Sequence, residues 1–248
     1  GAPGVGKTFA AKRLAYAIMG EKDEDRIKVV QFHQNYSYED FVLGYKPNEN
    51  GGFELKEGVF YQFCKKASTD KDNEYFFIID EINRGNLSKI FGELLMMIEK
   101  EYRNTPMQMS YADRRFVVPS NVYLIGMMNT ADRSLAMIDY ALRRRFSFFE
   151  MKPAFDNAVF KNYIIKKHDK HLENLVEAIM NLNKVIADDD SLGTGFCIGH
   201  SYLCNLEEGY DLESIVEYDI IPMLREYWFD NDERFNREAQ NLRKALND

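Results

Sequence analysis

Cysteine is scarce in this chain of 248 residues, and the three that occur, Cys64, Cys197 and Cys204, are odd in number and lack C-x-x-C spacing. A disulfide framework and a zinc site are therefore not expected, and the three thiols read as small buried hydrophobes of a reducing compartment. Long apolar runs are also missing: nothing approaches the roughly 18 uninterrupted apolar residues of a membrane span, and the first residues are glycine-rich where a signal peptide would be charged and apolar. A soluble, cytoplasmic protein with no membrane partner is the expectation. Basic residues are in deficit, 32 against 40 acidic, so the net charge of -8 repels a phosphate backbone and confines any nucleic-acid contact to a local surface. No internal repeat or low-complexity linker is visible. What is present is core-forming: 45% hydrophobic and 14% aromatic residues suffice for one large domain, or for a domain with a smaller companion.

Apolar runs rich in β-branched and aromatic residues recur at 27–32, 75–79, 122–127 and 146–151, with helical patterns among the stretches between them. This alternation predicts an α/β fold built on a parallel sheet. Residues 38–43 and 59–67 read as helical, and 44–58, with Pro47 and the Gly51-Gly52 pair, as an inserted turn or hairpin. A second small hairpin is expected within 107–118, a helical stretch over 87–100 and another over 135–142. From Pro153 onward the pattern changes to long amphipathic stretches at 157–167, 172–186 and 212–228. A boundary near Lys152 follows, with a nucleotide-binding domain over 1–152 and a mostly helical domain over 153–248.

The segment Gly1-Ala2-Pro3-Gly4-Val5-Gly6-Lys7-Thr8 fits the phosphate-loop pattern G-x-x-x-x-G-K-[ST] at every defined position. Glycines let the backbone curl so that successive amides face phosphate oxygens, and the helix that follows presents its positive end to the same anion. Lys7 is placed to reach the β- and γ-phosphates, and Thr8 to put its hydroxyl on Mg²⁺, a cation that prefers oxygen ligands. A second anionic group for the metal stands at the end of the apolar run 76–79, where Asp80 would hold Mg²⁺ and Glu81 would orient or deprotonate the attacking water. Adjacent carboxylates at a strand end alone would read as a loop start or a helix cap. Asn129, at the end of the next run, is a candidate contact for the γ-phosphate or the water; its alternative is an Asx turn over Asn129-Thr130-Ala131-Asp132. Arg143-Arg144-Arg145 either complement a helix dipole in solvent or act as arginine fingers on a neighbouring subunit's nucleotide.

Together these residues resemble the AAA+ superfamily of phosphate-loop NTPases, and within it the McrB family of GTPase motor subunits, which serve restriction of DNA containing modified cytosine. The narrower resemblance rests on three segments. The first is Asp80-Glu81-Ile82-Asn83-Arg84-Gly85-Asn86-Leu87-Ser88-Lys89; the second is Met128-Asn129-Thr130-Ala131-Asp132-Arg133-Ser134 with Asp139-Tyr140-Ala141-Leu142-Arg143-Arg144-Arg145-Phe146; the third is Gly195-Phe196-Cys197-Ile198-Gly199-His200-Ser201-Tyr202. The resemblance implies an AAA+ parallel sheet whose first strand, preceding Gly1, is missing from this fragment, followed by a helical lid. It implies Asn129 as the first sensor, Asp132 and Arg133 in a GTP-turnover segment, and Arg144 and Arg145 acting across a subunit interface. It further implies GTP with Mg²⁺, a hexameric ring of copies of this chain, a separate McrC-like nuclease subunit, and DNA engaged indirectly through other domains or subunits. Cys197 stands where a basic second sensor is expected; His200 is the substitute, or else a hydrogen-bonded structural histidine. Two other readings remain: an ATP-driven remodelling ATPase of the MoxR or dynein-related type, and a non-hydrolysing nucleotide-gated scaffold.

Overall fold

The computed structural model describes residues 1–110, 112–132 and 140–247. Backbone contacts gather these into two units that no single cut along the chain separates: one is built from 1–7, 129–132 and 150–247, the other from 8–110, 112–128 and 140–149.

The second of these is an α/β unit. Its elements in chain order are α1 (Lys7–Met19, of which residues 8–19 belong here), β1 (Ile27–Gln31), α2 (Tyr38–Phe41), β2 (Leu43–Pro47), β3 (Phe53–Glu57), α3 (Val59–Ser68), β4 (Tyr75–Asp80), α4 (Leu87–Phe91), α5 (Leu94–Met97), β5 (Met107–Gln108), β6 (Arg115–Phe116), β7 (Val122–Gly126) and α6 (Tyr140–Arg143). The central strand is β4, parallel to β1 on one side and β7 on the other, with Ile78 opposite Val29 and Ile125. Tyr75 to Ile79 are all buried, which is why this strand reads as a continuous apolar run and not as an alternation. The expected insertion forms the antiparallel hairpin β2–β3, with Tyr45 opposite Leu55. Its tip closes on the Asn48 side-chain oxygen, which accepts from the amides of Asn50 (3.1 Å) and Gly52 (2.9 Å). The second hairpin is β5–β6, pairing Met107 with Phe116.

Aromatic rings hold α2, α3 and α4 to the sheet. Phe41 stacks on Phe60 at 4.9 Å, and Phe60 meets Phe77 of β4 edge-on at 5.0 Å. Phe91 closes the cluster 4.9 Å from Phe41, and all four side chains are fully buried. Edge-to-face and offset contacts of this kind add to the burial of the rings themselves.

The helical unit contains α7 (Ala158–Lys167), α8 (Lys170–Ala187), α9 (Leu212–Ser214), α10 (Ile221–Tyr227) and α11 (Asp232–Ala245). Asn157, Asp169, Asp211 and Asn231 start α7, α8, α9 and α11, each side-chain oxygen accepting a first-turn amide. Leu172, Leu175, Ile179, Leu182 and Ile186 form the buried stripe of α8. Between α9 and α10 the chain widens into a π-type turn over Ile215–Ile220, just ahead of Pro222, which has no N–H to donate and whose ring displaces a carbonyl one turn back. Among the described residues no helix is long and apolar enough to cross a membrane, and the cysteines form no disulfide.

Three sequence expectations need correction. Residues 146–151 form no strand, and Phe148 and Phe149 are 54% and 87% exposed; extended backbone becomes a strand only with a ladder partner, and none of the described strands provides one. The stretch 87–100 is not one helix: it breaks at Gly92, whose φ of 51° and ψ of -127° belong to a region only glycine enters readily. Helix α11 was not expected at all, because its apolar stripe, Phe235, Ala239, Leu242 and Leu246, is thin among charges.

Phe41→Ala is expected to lower unfolding free energy by about 3–5 kcal/mol, since it empties the centre of the ring cluster. Chemical denaturation monitored by near-ultraviolet dichroism measures this, and a loss below about 1 kcal/mol would remove the cluster from its central place.

Candidate functional site

The phosphate loop belongs to the helical unit and is tied to it by its own carbonyls. Gly4 and Gly6 take φ of 69° and 76°, on either side of Val5, which does not. Glycines with positive φ placed in this way let successive amides turn toward one concave face, as in an anion nest. Ala2 and Val5, each 2% exposed, belong to the core that contains Leu172, Leu175 and Ile179. Lys7 donates its Nζ to the carbonyls of Gly1 (3.0 Å) and Ala2 (2.9 Å), so the cation sits over the loop it follows. Pro3 is buried, and Thr8 is exposed in the first turn of α1.

Two amides of the lid meet the loop directly. Gly199 N–H donates to the Pro3 carbonyl at 2.9 Å, and Ser201 N–H to the Gly4 carbonyl at 2.8 Å. Thr130, from the segment after β7, donates its amide to the Gly1 carbonyl (3.2 Å) and its hydroxyl to the Gly195 carbonyl (2.7 Å). The loop, residues 129–132 and residues 195–202 are thereby joined. Asn129 accepts the Ala131 amide on Oδ1 at 3.2 Å, the Asx-turn contact of the alternative reading, and Asp132 is half-buried. Arg133 lies outside the described residues.

His200 lies within the same segment, where its Nδ1 accepts the Ala154 amide at 3.1 Å and its ring packs edge-on against Phe155 and Phe160 at 6.3 and 5.7 Å. Acceptance at Nδ1 assigns the neutral tautomer with the proton on Nε2, and burial pushes its pKa below the usual imidazole value. Cys197 is buried with its Sγ 3.6 Å from the Asn183 carbonyl, and burial pushes its thiol pKa up.

The acidic pair belongs to the α/β unit. Ile79 accepts the Met127 amide and Met127 accepts that of Ile82, so the chain leaving β4 is bonded on both sides of Asp80-Glu81. Gly126 makes room for this turn, since a β-carbon there would lie 2.6 Å from Ile82 Cδ1. Asp80 accepts the Glu81 amide on Oδ1 at 3.0 Å. Glu81 is left-handed, φ 50° and ψ 44°, a costly conformation for a non-glycine residue and one that recurs at functional sites. Its carboxylate pairs with Arg84 at 3.2 Å. Of the terminal arginines, Arg145 is 10% exposed and bound to Glu99 at 2.6 Å, whereas Arg144 is 67% exposed and reaches Glu99 only at 3.9 Å.

The residues fit the group the motif implies. The nest suits phosphate oxygens, while Thr8 and Asp80 are oxygen donors of the kind Mg²⁺ accepts. Among the described residues no cluster of three or more His, Cys, Asp or Glu side chains is arranged for a metal, so a divalent ion here would draw its remaining ligands from phosphate and water. A cleft of about 1040 Å³ in the α/β unit is lined by Glu99, Arg103, Tyr123, Arg144 and Arg145 among others and by no residue of the phosphate loop; motif chemistry and not this cleft locates the site. Sequence reasoning gave no role to Thr130, Gly199 and Ser201, which act through backbone groups or a short hydroxyl, although the segments 128–134 and 195–202 that carry the family resemblance contain them.

Comparison with known proteins agrees with this chemistry. A model of the AAA domain of the dynein-related subfamily matches residues 1–146, and one of the McrB alpha-helical lid domain matches residues 174–236. The chain is 51% identical over 245 residues to the Type IV methyl-directed restriction enzyme EcoKMcrB subunit of Escherichia coli, covering 93% of this chain and 53% of that protein. It is 29% identical over 187 residues to the Type II restriction enzyme BsuMI component YdiS of Bacillus subtilis, covering 60% of this chain and 54% of that one. The chain thus spans about half the length of the curated relatives it matches.

Two outcomes follow from the geometry. Arg145→Ala is expected to destabilise the fold by about 1–3 kcal/mol, because it leaves the half-buried Glu99 without its close partner, whereas Arg144→Ala stays within about 0.5 kcal/mol of the parent in urea titrations. His200, with its pKa lowered in the folded state, stays neutral there while the unfolded chain takes up a proton near pH 6.5. Its contribution is therefore whole above that pH and is lost as the pH falls from there toward the folded value. Denaturation between about pH 7 and 5 should show a shallower acid loss for His200→Gln than for the parent, and parallel profiles would exclude His200 as the source.

Proposed function

Since this chain belongs to the AAA domain family, in its dynein-related subfamily, we propose that it is a nucleoside triphosphatase that hydrolyses GTP and powers a DNA restriction complex. In this reading residues 1–152 form the nucleotide-binding domain and 153–248 the lid. The observation that carries it is the phosphate loop itself, with left-handed glycines at 4 and 6 and Lys7 over its carbonyls. Support for the restriction role comes from the McrB-type lid match and from the Escherichia coli relative, which is described as methyl-directed. DNA containing modified cytosine is accordingly the proposed target, engaged through other domains or subunits and cut by a separate nuclease subunit.

Magnesium-bound GTP would supply the γ-phosphoryl group and the cation that offsets its charge. Thr8 and Asp80 hold the metal, and Lys7 binds the β- and γ-phosphate oxygens. Glu81, restrained by Arg84, orients water and accepts its proton; Asn129, whose Oδ1 is occupied by the Ala131 amide, offers its Nδ2 donor. Asp132 and Arg133 complete the turnover segment. The exposed Arg144 supplies charge to a neighbouring copy in a hexameric ring, with Arg145 behind it on Glu99.

A second reading, ATP-driven remodelling, is favoured by the dynein-related designation of the matching family. A nucleotide-gated scaffold without hydrolysis fits poorly with the intact Glu81 and exposed Arg144. Phosphate release by the full-length protein with GTP and with ATP separates these readings. GTP turnover is expected to exceed ATP turnover, and Glu81→Gln should cut it by about 10² to 10⁴ while nucleotide binding persists. Clear ATP preference would transfer the protein to the second reading, and an unchanged Glu81→Gln rate would remove that carboxylate from the chemistry.

A further inference from the structure

We propose that residues 195–202 of the lid are a brace that holds the phosphate loop in its binding shape, so that nucleotide affinity is set from the lid through main-chain contacts and not through a basic side chain. This rests on the nucleotide-binding reading above. The place where a second-sensor cation was expected holds Cys197, whose side chain turns toward the Asn183 carbonyl. What the segment presents to the loop is backbone: Gly199 N–H to Pro3 and Ser201 N–H to Gly4.

The contact leaves no slack. A β-carbon at 199 would lie 2.0 Å from the carbonyl carbon and oxygen of Gly4 and 2.4 Å from the Val5 nitrogen, so only glycine allows the approach. On the same residue of the loop, a β-carbon at Gly4 would sit 2.2 Å from Tyr202 Cε2, which places the ring flush against the left-handed turn. The brace is itself anchored. Asn183 of α8 donates Nδ2 to the Ile198 carbonyl (2.8 Å) and accepts the Ile198 amide on Oδ1 (2.6 Å), locking the residue before Gly199 to the longest helix of the lid. Thr130 closes the circuit by bonding Gly1 and Gly195 at once.

A loop with two left-handed glycines has more conformations to lose than an ordinary turn, and amides must be in place before they can bind phosphate at little ordering cost. Bonding the carbonyls of Pro3 and Gly4 from behind fixes the peptide planes that carry the amides of Gly4 and Val5. Gly199, Tyr202 and Thr130 are thus positioning residues.

Calorimetric titration of the full-length protein with GTP and with ATP in magnesium buffer tests this, together with hydrogen exchange across residues 195–202. Gly199→Ala and Tyr202→Ala are expected to weaken binding at least about tenfold. Tyr202→Phe should remain within about twofold of the parent, since the ring is kept. Thr130→Val should weaken binding about threefold or more, and Thr130→Ser should restore it. The Gly199 and Ser201 amides should exchange slowly in the parent without nucleotide and quickly in Gly199→Ala. Parent-like affinity in Tyr202→Ala and Thr130→Val, or rapid exchange of these two amides in the parent, overturns the brace even if Gly199→Ala fails to fold. A parent protein that binds neither nucleotide overturns the nucleotide-binding reading instead, and exchange protection still reports on the brace.

Discussion

Two main-chain hydrogen bonds, Gly199 to Pro3 and Ser201 to Gly4, tie a phosphate-binding loop to a helical lid, and the construction of the helical unit leads to them. A glycine-rich loop has no side chains with which to hold itself, so its shape must come from neighbours. Here apolar anchoring and polar anchoring are divided. Ala2 and Val5 sink into the helical core, while the carbonyls between them, of Pro3 and Gly4, are taken by the amides of Gly199 and Ser201. The two bonds from residues 199 and 201 fall on carbonyls of the loop and not on its amides. Upstream of this contact stand Asn183, which grips Ile198 by both its amide groups, and the buried stripe of α8 that fixes Asn183.

The charged residues separate in the same way into those that build and those that stay available. Arg145 is committed to Glu99, and Arg26 is buried under Glu21, Asp23 and Asn73 at the start of β1. Arg103, most of its surface covered, donates to the carbonyls of Ile98, Pro119 and Val122, and this burial pulls its pKa down. The Arg103 guanidinium thereby replaces backbone partners that irregular segments cannot give one another. Arg144 is the contrasting case, exposed and held by one long contact. Glu81 shows a further form of commitment, since its left-handed backbone stores strain just past the carboxyl end of a strand whose residues Tyr75 to Ile79 are all buried.

The parts of the fold that were legible are those in which one face or both are buried by regular structure. Strand β4 was legible because Tyr75 to Ile79 are apolar without interruption, and α8 because its apolar positions recur at helical spacing over five turns. The insertion hairpin announced itself through Pro47 and the glycines near its tip. Helix α11 was hidden because its buried positions are few and one of them is Glu238, a carboxylate covered by Arg237 and Asn241. The break at Gly92 was hidden because a glycine within an amphipathic pattern is tolerated as often as it is decisive. Residues 146–151 carry strand-like residues but find no described ladder, and propensity without a partner makes no strand.

By itself the order of residues determined the chemistry on offer: a glycine loop with Lys7 and Thr8, carboxylates at 80 and 81, a polar segment at 129–132 and arginines at 143–145. Those are local patterns, each a consequence of residue type and spacing over a few positions. Tertiary structure alone decided that the loop is grasped by residues 199 and 201, that Thr130 bonds two segments at once, that His200 serves as an acceptor within the lid core, and that Arg145 is tied down while Arg144 is not. The reason is physical: a backbone amide is the same donor in every residue but proline, so a bond between amides and carbonyls nearly two hundred positions apart leaves no mark in composition or periodicity.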